Sequence, residues 1–225
     1  MESSLHRGLK ELHGPATGGR CEVAVGGFRV DAVAGDGALV EIQTGNLGAL
    51  RPKLRSLLPT HGIRVVKPIV LGRVLVRRAT ADGPDLARRR GRLRGTLVEA
   101  FDDLVGLASL LPDPNLSVEI VGVDVEEVRV PRRRRPRFTV VDRRLIAIRQ
   151  TVTIATADDL WNLLPPDFPR SEPFSTADLA RKLGASRPFA QRVAYCLRAA
   201  GAARPVAKRG NSYIYEADRG SVATT

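Results

Sequence analysis

The sequence predicts a mixed α/β (α+β) fold in which helices flank a mixed sheet, followed by a smaller helical region near the C-terminus. Residues 21–43 alternate apolar and polar side chains in three short runs separated by glycine turns, which indicates half-buried strands. Residues 2–13 carry leucines at helical spacing, and residues 63–70 form a nearly continuous β-branched run, typical of a buried strand. Residues 174–200 then return to helical periodicity.

The charge balance of the chain indicates a polyanionic partner. The 225 residues contain 36 Lys+Arg against 24 Asp+Glu, which gives a formal net charge of +12. Such an excess favours nucleic acid, and we expect DNA. The alternative is a generally basic protein from a genome that favours arginine. No apolar run approaches the roughly 18 residues of a membrane span, so we expect no membrane contact and a cytoplasmic location.

Cysteine and histidine give no sign of a disulfide or of a metal site. Cys21 and Cys196 lie far apart in the chain and each falls in an apolar pattern, which predicts two small buried side chains. His6, His13 and His61 show no ligand spacing.

Two turns set the register of the three predicted strands. A two-residue loop at Gly26-Gly27 pairs Val25 with Phe28, and a three-residue loop pairs Ala34 with Ala38. Since side chains alternate between faces along a strand, one face is predicted to be apolar. That face carries Val23, Val25, Phe28, Val30, Val40 and Ile42. The opposite face carries Glu22, Arg29, Asp31, Glu41 and Gln43.

Three carboxylates lie side by side across the strands in this register, namely Glu22, Asp31 and Glu41. Directly opposed side chains have Cβ atoms about 5 Å apart, and like charges at that distance repel. A hard divalent cation that takes oxygen ligands, Mg²⁺ or Mn²⁺, would offset the repulsion. The alternative is an ordinary solvated face that is acidic.

The same residues resemble a known nuclease signature. An acid on one strand, a tight turn and then Glu-x-Lys on the next strand are typical of the PD-(D/E)XK endonuclease superfamily. Here Val30-Asp31 corresponds to the first part and Glu41-x-Gln43 to the second. The helix predicted at 46–58 and the strand at 63–70 fit the elements that follow, so the resemblance covers roughly residues 1–80. The spacing looks most like that of the branched-DNA resolvases.

The resemblance implies a restriction-endonuclease-like sheet and metal-assisted hydrolysis of a phosphodiester. Asp31 and Glu41 would hold the metal, with Glu22, or Glu2 on the first helix, as the third acid. The lysine of the superfamily is replaced by Gln43. Losing such a contact costs on the order of 10²–10³ in rate unless another cation replaces it.

Two residues are candidates for the missing charge. Lys53 lies on the helix that follows the third strand, and Arg29 lies opposite Gln43 in the predicted register. If neither supplies the charge, the nuclease fold would be kept for binding and not for cleavage.

A second region, residues 173–218, is predicted to be a winged helix-turn-helix. Ser175 or Thr176 caps one helix, Ser186 caps a second, and two strands follow around a basic turn at 208–211. The second helix would enter a major groove while the hairpin meets phosphates. The predicted DNA contacts are Arg187, Gln191, Arg192, Arg198, Lys208 and Arg209. The whole architecture is also similar to an uncharacterised bacterial family that joins a nuclease-like domain to a winged helix.

The strongest shift in composition is PRRRRPR at residues 131–137. Consecutive arginines repel unless they meet an anion, so Arg132, Arg133, Arg134 and Arg135 are further candidates for DNA contact. We place a domain boundary there, which predicts a nuclease-like domain at 1–130 and a linker with a hairpin and a short helix at 131–172. A disordered tail is predicted at 219–225.

Three further segments have predicted structures. Residues 80–95, dense in arginine, are expected to form a mobile loop. Residues 96–108 are expected to form an amphipathic helix, and residues 138–154 a hairpin that turns at Asp142-Arg143.

The sequence leaves three functions open. The first is a metal-dependent DNA endonuclease, with branched or structured DNA among its candidate substrates, directed by the winged helix. The second is a DNA-binding regulator built on an inactive nuclease fold. The third is an interaction protein of a mobile element or defence system. Because resolvase-like enzymes tend to be dimers, a homodimer is also among the alternatives.

Overall fold

The computed structural model describes residues 3–218 and has a mixed α+β fold with one large mixed sheet. The helices are α1 (Ser4–His13), α2 (Arg51–Leu57), α3 (Phe101–Leu104), α4 (Thr176–Leu183) and α5 (Arg187–Ala199). The strands are β1 (Arg20–Val25), β2 (Phe28–Val33), β3 (Leu39–Ile42), β4 (Ile63–Arg78), β5 (Asp85–Arg90), β6 (Leu116–Pro131), β7 (Phe138–Ile154), β8 (Phe174–Ser175), β9 (Ala203–Arg209) and β10 (Ser212–Ala217). Short 3₁₀ segments occupy Pro15–Thr17, Leu47–Leu50, Leu97–Ala100 and Ala157–Leu163.

The large sheet has the strand order β1-β2-β3-β4-β6-β7, and β5 also pairs with β4. The first three strands are antiparallel neighbours, whereas β3 and β4 run parallel. Parallel neighbours need a crossover connection, which here contains α2. A second sheet has the order β8-β10-β9.

The predicted register of the first three strands is confirmed wherever the strands pair. Val25 lies opposite Phe28 and Val23 opposite Val30, as the two-residue turn predicts. Ala32 lies opposite Val40, and the Ala34 N–H donates to the carbonyl of Ala38 at 2.9 Å. These two turns are local and glycine-rich, so the sequence determines the pairing that follows them.

Helix α1 packs its leucine stripe on the apolar face of the meander. Leu5 and Leu9 are buried with Ala32, Val40 and Ile42 in one core cluster. The Ser3 hydroxyl accepts from the backbone N–H of His6 at 3.3 Å and caps the helix. The face that carries the apolar residues is therefore covered by α1.

Several segments differ from their predicted structures. The arginine-dense segment contains strand β5, and β7 runs from Phe138 to Ile154 without a turn. All six residues of β5 are exposed, so its pairing with β4 rests on backbone hydrogen bonds that a side-chain pattern cannot reveal. The Asp142 side chain receives hydrogen bonds from α1 and does not form a hairpin turn.

The predicted helix at 96–108 is also shorter than expected. Only Phe101–Leu104 is α-helical, after a 3₁₀ segment. A Cβ atom on Gly106 would lie 2.7 Å from Gly48 Cα, so this glycine serves a close backbone contact. The backbone at Gly106 packs closely against that at Gly48, and apolar periodicity in the sequence does not reveal such a contact.

The arginine run at 131–137 connects β6 and β7, two neighbouring strands of the large sheet. The Arg132 N–H donates to the carbonyl of Arg137 at 3.0 Å and closes this loop. The structure therefore places a hairpin loop where the composition predicted a linker, because an exposed loop and a linker share the same charged, proline-rich composition. The predicted tail at 219–225 lies outside the described residues.

Two compact units divide the chain, and both are discontinuous in sequence. The first comprises the chain up to Thr44, then His61–Leu97 and Glu119–Thr151. The second comprises Gly45–Thr60, Val98–Val118 and the chain from Val152 onward. Within the residues described, no helix is both long and apolar enough to cross a membrane.

The small core of the second unit consists of aromatic rings and of buried residues on α5. Phe174 lies within 5.8 Å of the ring centres of both Trp161 and Tyr215. Cys196 is fully buried on α5, and burial raises the pKa of its thiol to about 12. The prediction of a small buried side chain is confirmed for Cys196, whereas Cys21 is half-buried.

Asp142 fastens the first turn of α1 to β7. Its carboxylate accepts from the Ser4 backbone N–H at 2.9 Å and from the Ser4 hydroxyl at 2.7 Å. Burial raises the pKa of Asp142, but the hydrogen bonds from Ser4 and Arg144 outweigh burial and hold the pKa below its usual value. The ionised form is therefore the one that the folded state favours.

We predict that Asp142→Ala lowers the free energy of unfolding by about 1–3 kcal/mol, because two hydrogen bonds to a charge are lost. The change is measured by urea denaturation at pH 7. Because the folded-state pKa is lowered, the contribution is complete above the ordinary pKa of about 3.9 and is lost as the pH falls through the folded-state value. Asp82→Ala, an exposed acid after β4, is the control; equal effects of the two changes would contradict the prediction.

Candidate functional site

The predicted acidic site lies where the ladder between β2 and β3 ends. The last pair on this side is Ala32–Val40, and the next residues on the two strands are Asp31 and Glu41. In a continued antiparallel ladder, the Ile42 N–H would donate to the carbonyl of Val30. It donates to Asp31 Oδ2 at 2.8 Å instead. The Asp31 carboxylate thus replaces a backbone acceptor, and the two strands separate at this point.

Asp31 also contacts helix α1. The Nε2 atom of His6 lies 3.2 Å from Asp31 Oδ1, and both side chains are about a quarter exposed. One carboxylate oxygen is therefore oriented by a backbone N–H and the other by an imidazole. No local pattern selects His6, because its partner Asp31 is 25 residues away and on a different element.

Glu41 is the second acid of the site and is almost completely buried, with 5% of its surface exposed. Its neighbours Val40 and Ile42 belong to the core cluster under α1, so alternation turns Glu41 toward the opposite face of β3. A buried carboxylate requires compensation by hydrogen bonds or by a cation. Its burial therefore distinguishes Glu41 from an ordinary solvated acid.

Glu22 departs from the predicted row of three acids. Its backbone has a φ of 57°, which is unusual for a residue other than glycine, and the β1–β2 pairing skips Glu22 and Asp31. Its carboxylate accepts from the ammonium group of Lys10 at 2.6 Å and pairs with the guanidinium of Arg29. Two cations of the chain therefore neutralise the charge that the sequence assigned to a metal.

The described part of the chain contains no group of three Asp, Glu, His or Cys side chains arranged to hold one ion. Glu2, the alternative third acid, lies outside the described residues. Asp31 and Glu41 follow the last pair of the ladder on neighbouring strands. Asp31 contacts His6 of α1, whereas alternation turns Glu41 away from α1, so a shared ion and a third ligand stay predictions.

A buried lysine lies beside Gln43. In the parallel ladder, Ile42 lies next to Val66, and the Gln43 N–H donates to the carbonyl of Val66 at 2.9 Å. The next residue of β4 is Lys67, which is only 3% exposed. Its ammonium group donates to the carbonyl of Thr44 at 3.3 Å.

Lys67 is the residue of this site that the sequence interpretation missed. The signal was present, because Lys67 interrupts the β-branched run at 63–70. Lysine is almost never fully buried without a specific partner or role.

The two predicted sources of the missing charge, Arg29 and Lys53, stay predictions. The guanidinium of Arg29 pairs with Glu22. Lys53 lies half-buried on α2, which belongs to the second unit.

In the second unit, the predicted DNA contacts of α5 divide into two groups. Arg187, Gln191 and Arg198 are exposed and line a groove of about 690 Å³ beside the β9–β10 hairpin. Tyr195 and Tyr213 also line this groove. Arg192 lies on another side of the helix, where its Nε atom donates to Asp102 at 2.5 Å. The guanidinium of Arg192 thus has an acidic partner at the surface, and its interpretation as a base-reading residue stays a prediction.

The remaining basic candidates are exposed. Lys208 and Arg209 lie near the tip of the β9–β10 hairpin, and the Lys208 ammonium is 5.9 Å from the ring centre of Tyr213. The four arginines of the β6–β7 loop are exposed as well, namely Arg132, Arg133, Arg134 and Arg135.

Comparisons with known proteins place the chain in a family. A protein of Treponema pallidum (strain Nichols), described as an uncharacterized protein, is 34% identical over 219 residues, which span 95% of this chain and 84% of the relative. No solved structure matches the chain. The profile of a family described as "Domain of unknown function (DUF8091)" matches residues 3–155, from the start of α1 to just beyond β7. The chain therefore belongs to the DUF8091 family.

Proposed function

We propose that this protein is a metal-dependent DNA endonuclease of the PD-(D/E)XK type, directed to DNA by a C-terminal winged helix. The observation that carries the proposal is the end of the β2–β3 ladder. There the carboxylate of Asp31 lies against the backbone that follows Glu41, and a buried lysine lies beside Gln43.

The order of elements around this point supports the proposal. A helix, a three-stranded antiparallel meander, a crossover with a helix and a strand parallel to the third follow one another from α1 to β4. This is the order that the resemblance implies for a restriction-endonuclease-like sheet. The acids lie on the second and third strands, as the motif requires.

The chemistry of the donors fits Mg²⁺ or Mn²⁺. Asp31 and Glu41 offer carboxylate oxygens, the ligands that hard divalent cations prefer, and such ions commonly use one or two carboxylates together with water and phosphate oxygens. A divalent cation held there would neutralise charge on the scissile phosphate and make a water molecule more acidic.

The side chains of the protein supply orientation and charge. The Ile42 N–H and His6 fix the direction of the Asp31 carboxylate. Lys67 supplies a positive charge on the strand next to Gln43, in a buried environment where a charge acts strongly on the developing phosphorane. The amide of Gln43 contributes hydrogen bonds only.

The second unit supports the DNA-binding part of the proposal. Helices α4 and α5 are joined at Gly184, and the strands β8, β9 and β10 form a three-stranded sheet behind them. This order is consistent with a winged helix, in which α5 would be the recognition helix and the β9–β10 hairpin the wing. The groove between them is lined by Arg187 and Arg198, which favours a polyanion.

A second function, a DNA-binding regulator that does not cleave, is favoured by one specific observation. Glu22 is neutralised by Lys10 and Arg29, as expected of a site that holds no metal. The two functions differ in one measurable property, which is hydrolysis of DNA in the presence of a divalent cation.

We predict that the purified protein cleaves DNA with Mg²⁺ or Mn²⁺, and that EDTA abolishes cleavage. Asp31→Asn and Glu41→Gln are each expected to lower the rate by at least about 10²-fold, because each removes a charged oxygen ligand while keeping the shape of the side chain. The measurement is single-turnover cleavage of plasmid, linear, branched and RNA substrates.

Glu11→Gln, an exposed acid on α1, is the control for a change of one charge. DNA binding that both site variants retain, with no cleavage by the unaltered protein, would favour the regulator. Absence of salt-dependent DNA binding would favour the interaction protein.

We predict that Lys67→Met slows cleavage by about 10²–10³-fold, because the charge next to Gln43 is lost. Lys53→Met, the matched change on α2, is expected to lower the rate less than about tenfold. The double variant Lys67→Met with Gln43→Lys is expected to recover part of the rate, since a lysine then returns on the adjacent strand.

Thermal denaturation and DNA affinity of each variant separate a catalytic loss from a folding defect. If Lys67→Met keeps full activity while Lys53→Met loses it, Lys53 on α2 supplies the charge, and the role of Lys67 is refuted.

We predict that the affinity for duplex DNA falls with salt, with a slope of about −5 for the logarithm of the binding constant against the logarithm of the salt concentration. This slope corresponds to roughly six neutralised phosphates. Arg198→Ala should weaken binding and reduce the slope by about one, because its guanidinium lines the groove. Arg192→Ala, on the same helix, should leave the slope unchanged, since Asp102 already pairs with that arginine. The measurement is fluorescence anisotropy in EDTA at several salt concentrations. Equal slopes for Arg198→Ala and Arg192→Ala would contradict the proposal that DNA binds in this groove.

A further inference from the structure

The first unit contains an arginine-lined cavity beside β4. Its lining residues begin at Leu71, later in the chain than Asp31 and Glu41. Its volume is about 560 Å³, within the range of small-ligand sites. The wall consists of β4 at Leu71–Val74, the segment that follows β5, and side chains of β6 and β7. Its charged residues are Arg73, Arg90, Arg94, Arg149 and Asp124.

The charge around the cavity is unbalanced. Asp124 is paired with Arg149 at 2.7 Å, so these two side chains neutralise one another. Arg73 lies 3.8 Å from Glu127, which also pairs with Arg129 and Arg143. The single carboxylate of Glu127 is thus shared among three guanidinium groups, so Arg73 has no acidic partner of its own among the described residues.

Arg90 and Arg94 add two further positive charges. Within residues 3–218, Arg90 has no acidic partner, and the guanidinium of Arg94 donates only to the carbonyl of Leu93, at 3.2 Å. Like charges that converge on one cavity repel, so this arrangement favours a bound anion.

Arg73 provides a second, independent observation. Its Nε atom is buried and has no hydrogen-bond acceptor among the described residues. A buried donor that lacks an acceptor costs about 1–3 kcal/mol. Such a cost is removed when a ligand in the cavity supplies the acceptor.

Two glycines leave room for the charged groups. A Cβ atom on Gly91 would lie 2.7 Å from Arg73 Cγ, and one on Gly72 would lie 2.6 Å from Asp124 Oδ1. The Gly91 N–H donates to the carbonyl of Arg73 at 2.8 Å, which holds the segment after β5 against β4. The cavity is therefore built by backbone pairing and is not a gap between mobile side chains.

We propose that this cavity binds a phosphate ester, held by Arg73 and Arg90, at a site separate from that of the metal-dependent reaction. A guanidinium group presents donors in a planar fork that matches phosphate oxygens, which a single ammonium group cannot do. The ester is either an internal diester of a nucleic-acid strand or the terminal phosphate of a nucleotide.

The experiment compares two neighbouring arginines of β5 in the full-length protein. Arg90 lines this cavity, whereas Arg89 lines a different one, so Arg90→Gln and Arg89→Gln remove equal charge at different places. The probes are thymidine 5′-monophosphate, titrated by calorimetry, and a fluorescent single-stranded 12-mer, titrated by anisotropy. Both titrations contain EDTA, so cleavage does not interfere.

We expect Arg90→Gln to weaken binding of at least one probe by tenfold or more, and Arg89→Gln by less than twofold. Arg73→Lys is also expected to weaken it, because the fork is lost while the charge is kept. Binding of the mononucleotide identifies a terminal phosphate, whereas binding of the 12-mer alone identifies a diester. Phenylglyoxal labelling, with mass spectrometry, is expected to show protection of Arg90 and not of Arg89 by the bound probe.

Equal effects of the two glutamine variants would show general attraction to a basic surface and would overturn the proposal. Absence of saturable binding of both probes would do the same. Neither result depends on whether the protein cleaves DNA, so failure of this site and failure of the endonuclease are distinguishable.

Discussion

The parallel pairing of β3 with β4 is the constraint on which the arrangement of the first unit depends. It forces the chain through a crossover between Ile42 and Ile63, and it sets Gln43 beside Lys67, 24 residues later. The antiparallel meander acts on the other side of β3, where the ladder ends just before Asp31 and Glu41. One short strand of four residues thus connects the end of this ladder to the strand that carries a buried lysine. Without the parallel ladder Gln43 would have no such neighbour.

The sequence predicted the parts of this arrangement that local turns control. Glycine turns fixed the pairing of Val25 with Phe28 and of Ala34 with Ala38, and alternation then located Asp31 and Glu41. The position of Lys67 depends on a long-range parallel pairing that no turn encodes, so it could not be derived in the same way. The same holds for β5, which pairs with β4 through its backbone while all its side chains are exposed.

Ion pairs engage two of the residues that the sequence assigned to binding sites. Glu22 was predicted to face Asp31, but its backbone adopts a positive φ and its carboxylate pairs with Lys10 and Arg29. Arg192 was predicted to face DNA, but Asp102, 90 residues earlier, pairs with it. In both cases, the type of residue indicated a function, and the structure gives the side chain an ion-pair partner on another element. Charged residues are the least predictable from local pattern, because their partners come from anywhere in the fold.

The distribution of arginine in the first unit separates structural from binding roles. Arg129, Arg143 and Arg149 pair with acids of β6, so their charges stabilise the sheet and are not available to a ligand. Arg90 and Arg94 line the same cavity as Arg149, but neither pairs with an acid within the part of the chain described. A basic protein that used arginine only for solubility would spread its charge over solvated surfaces, where repulsion is screened. Here positive charge converges on a cavity that contains a buried donor without an acceptor among the described residues, and a bound anion would account for both features.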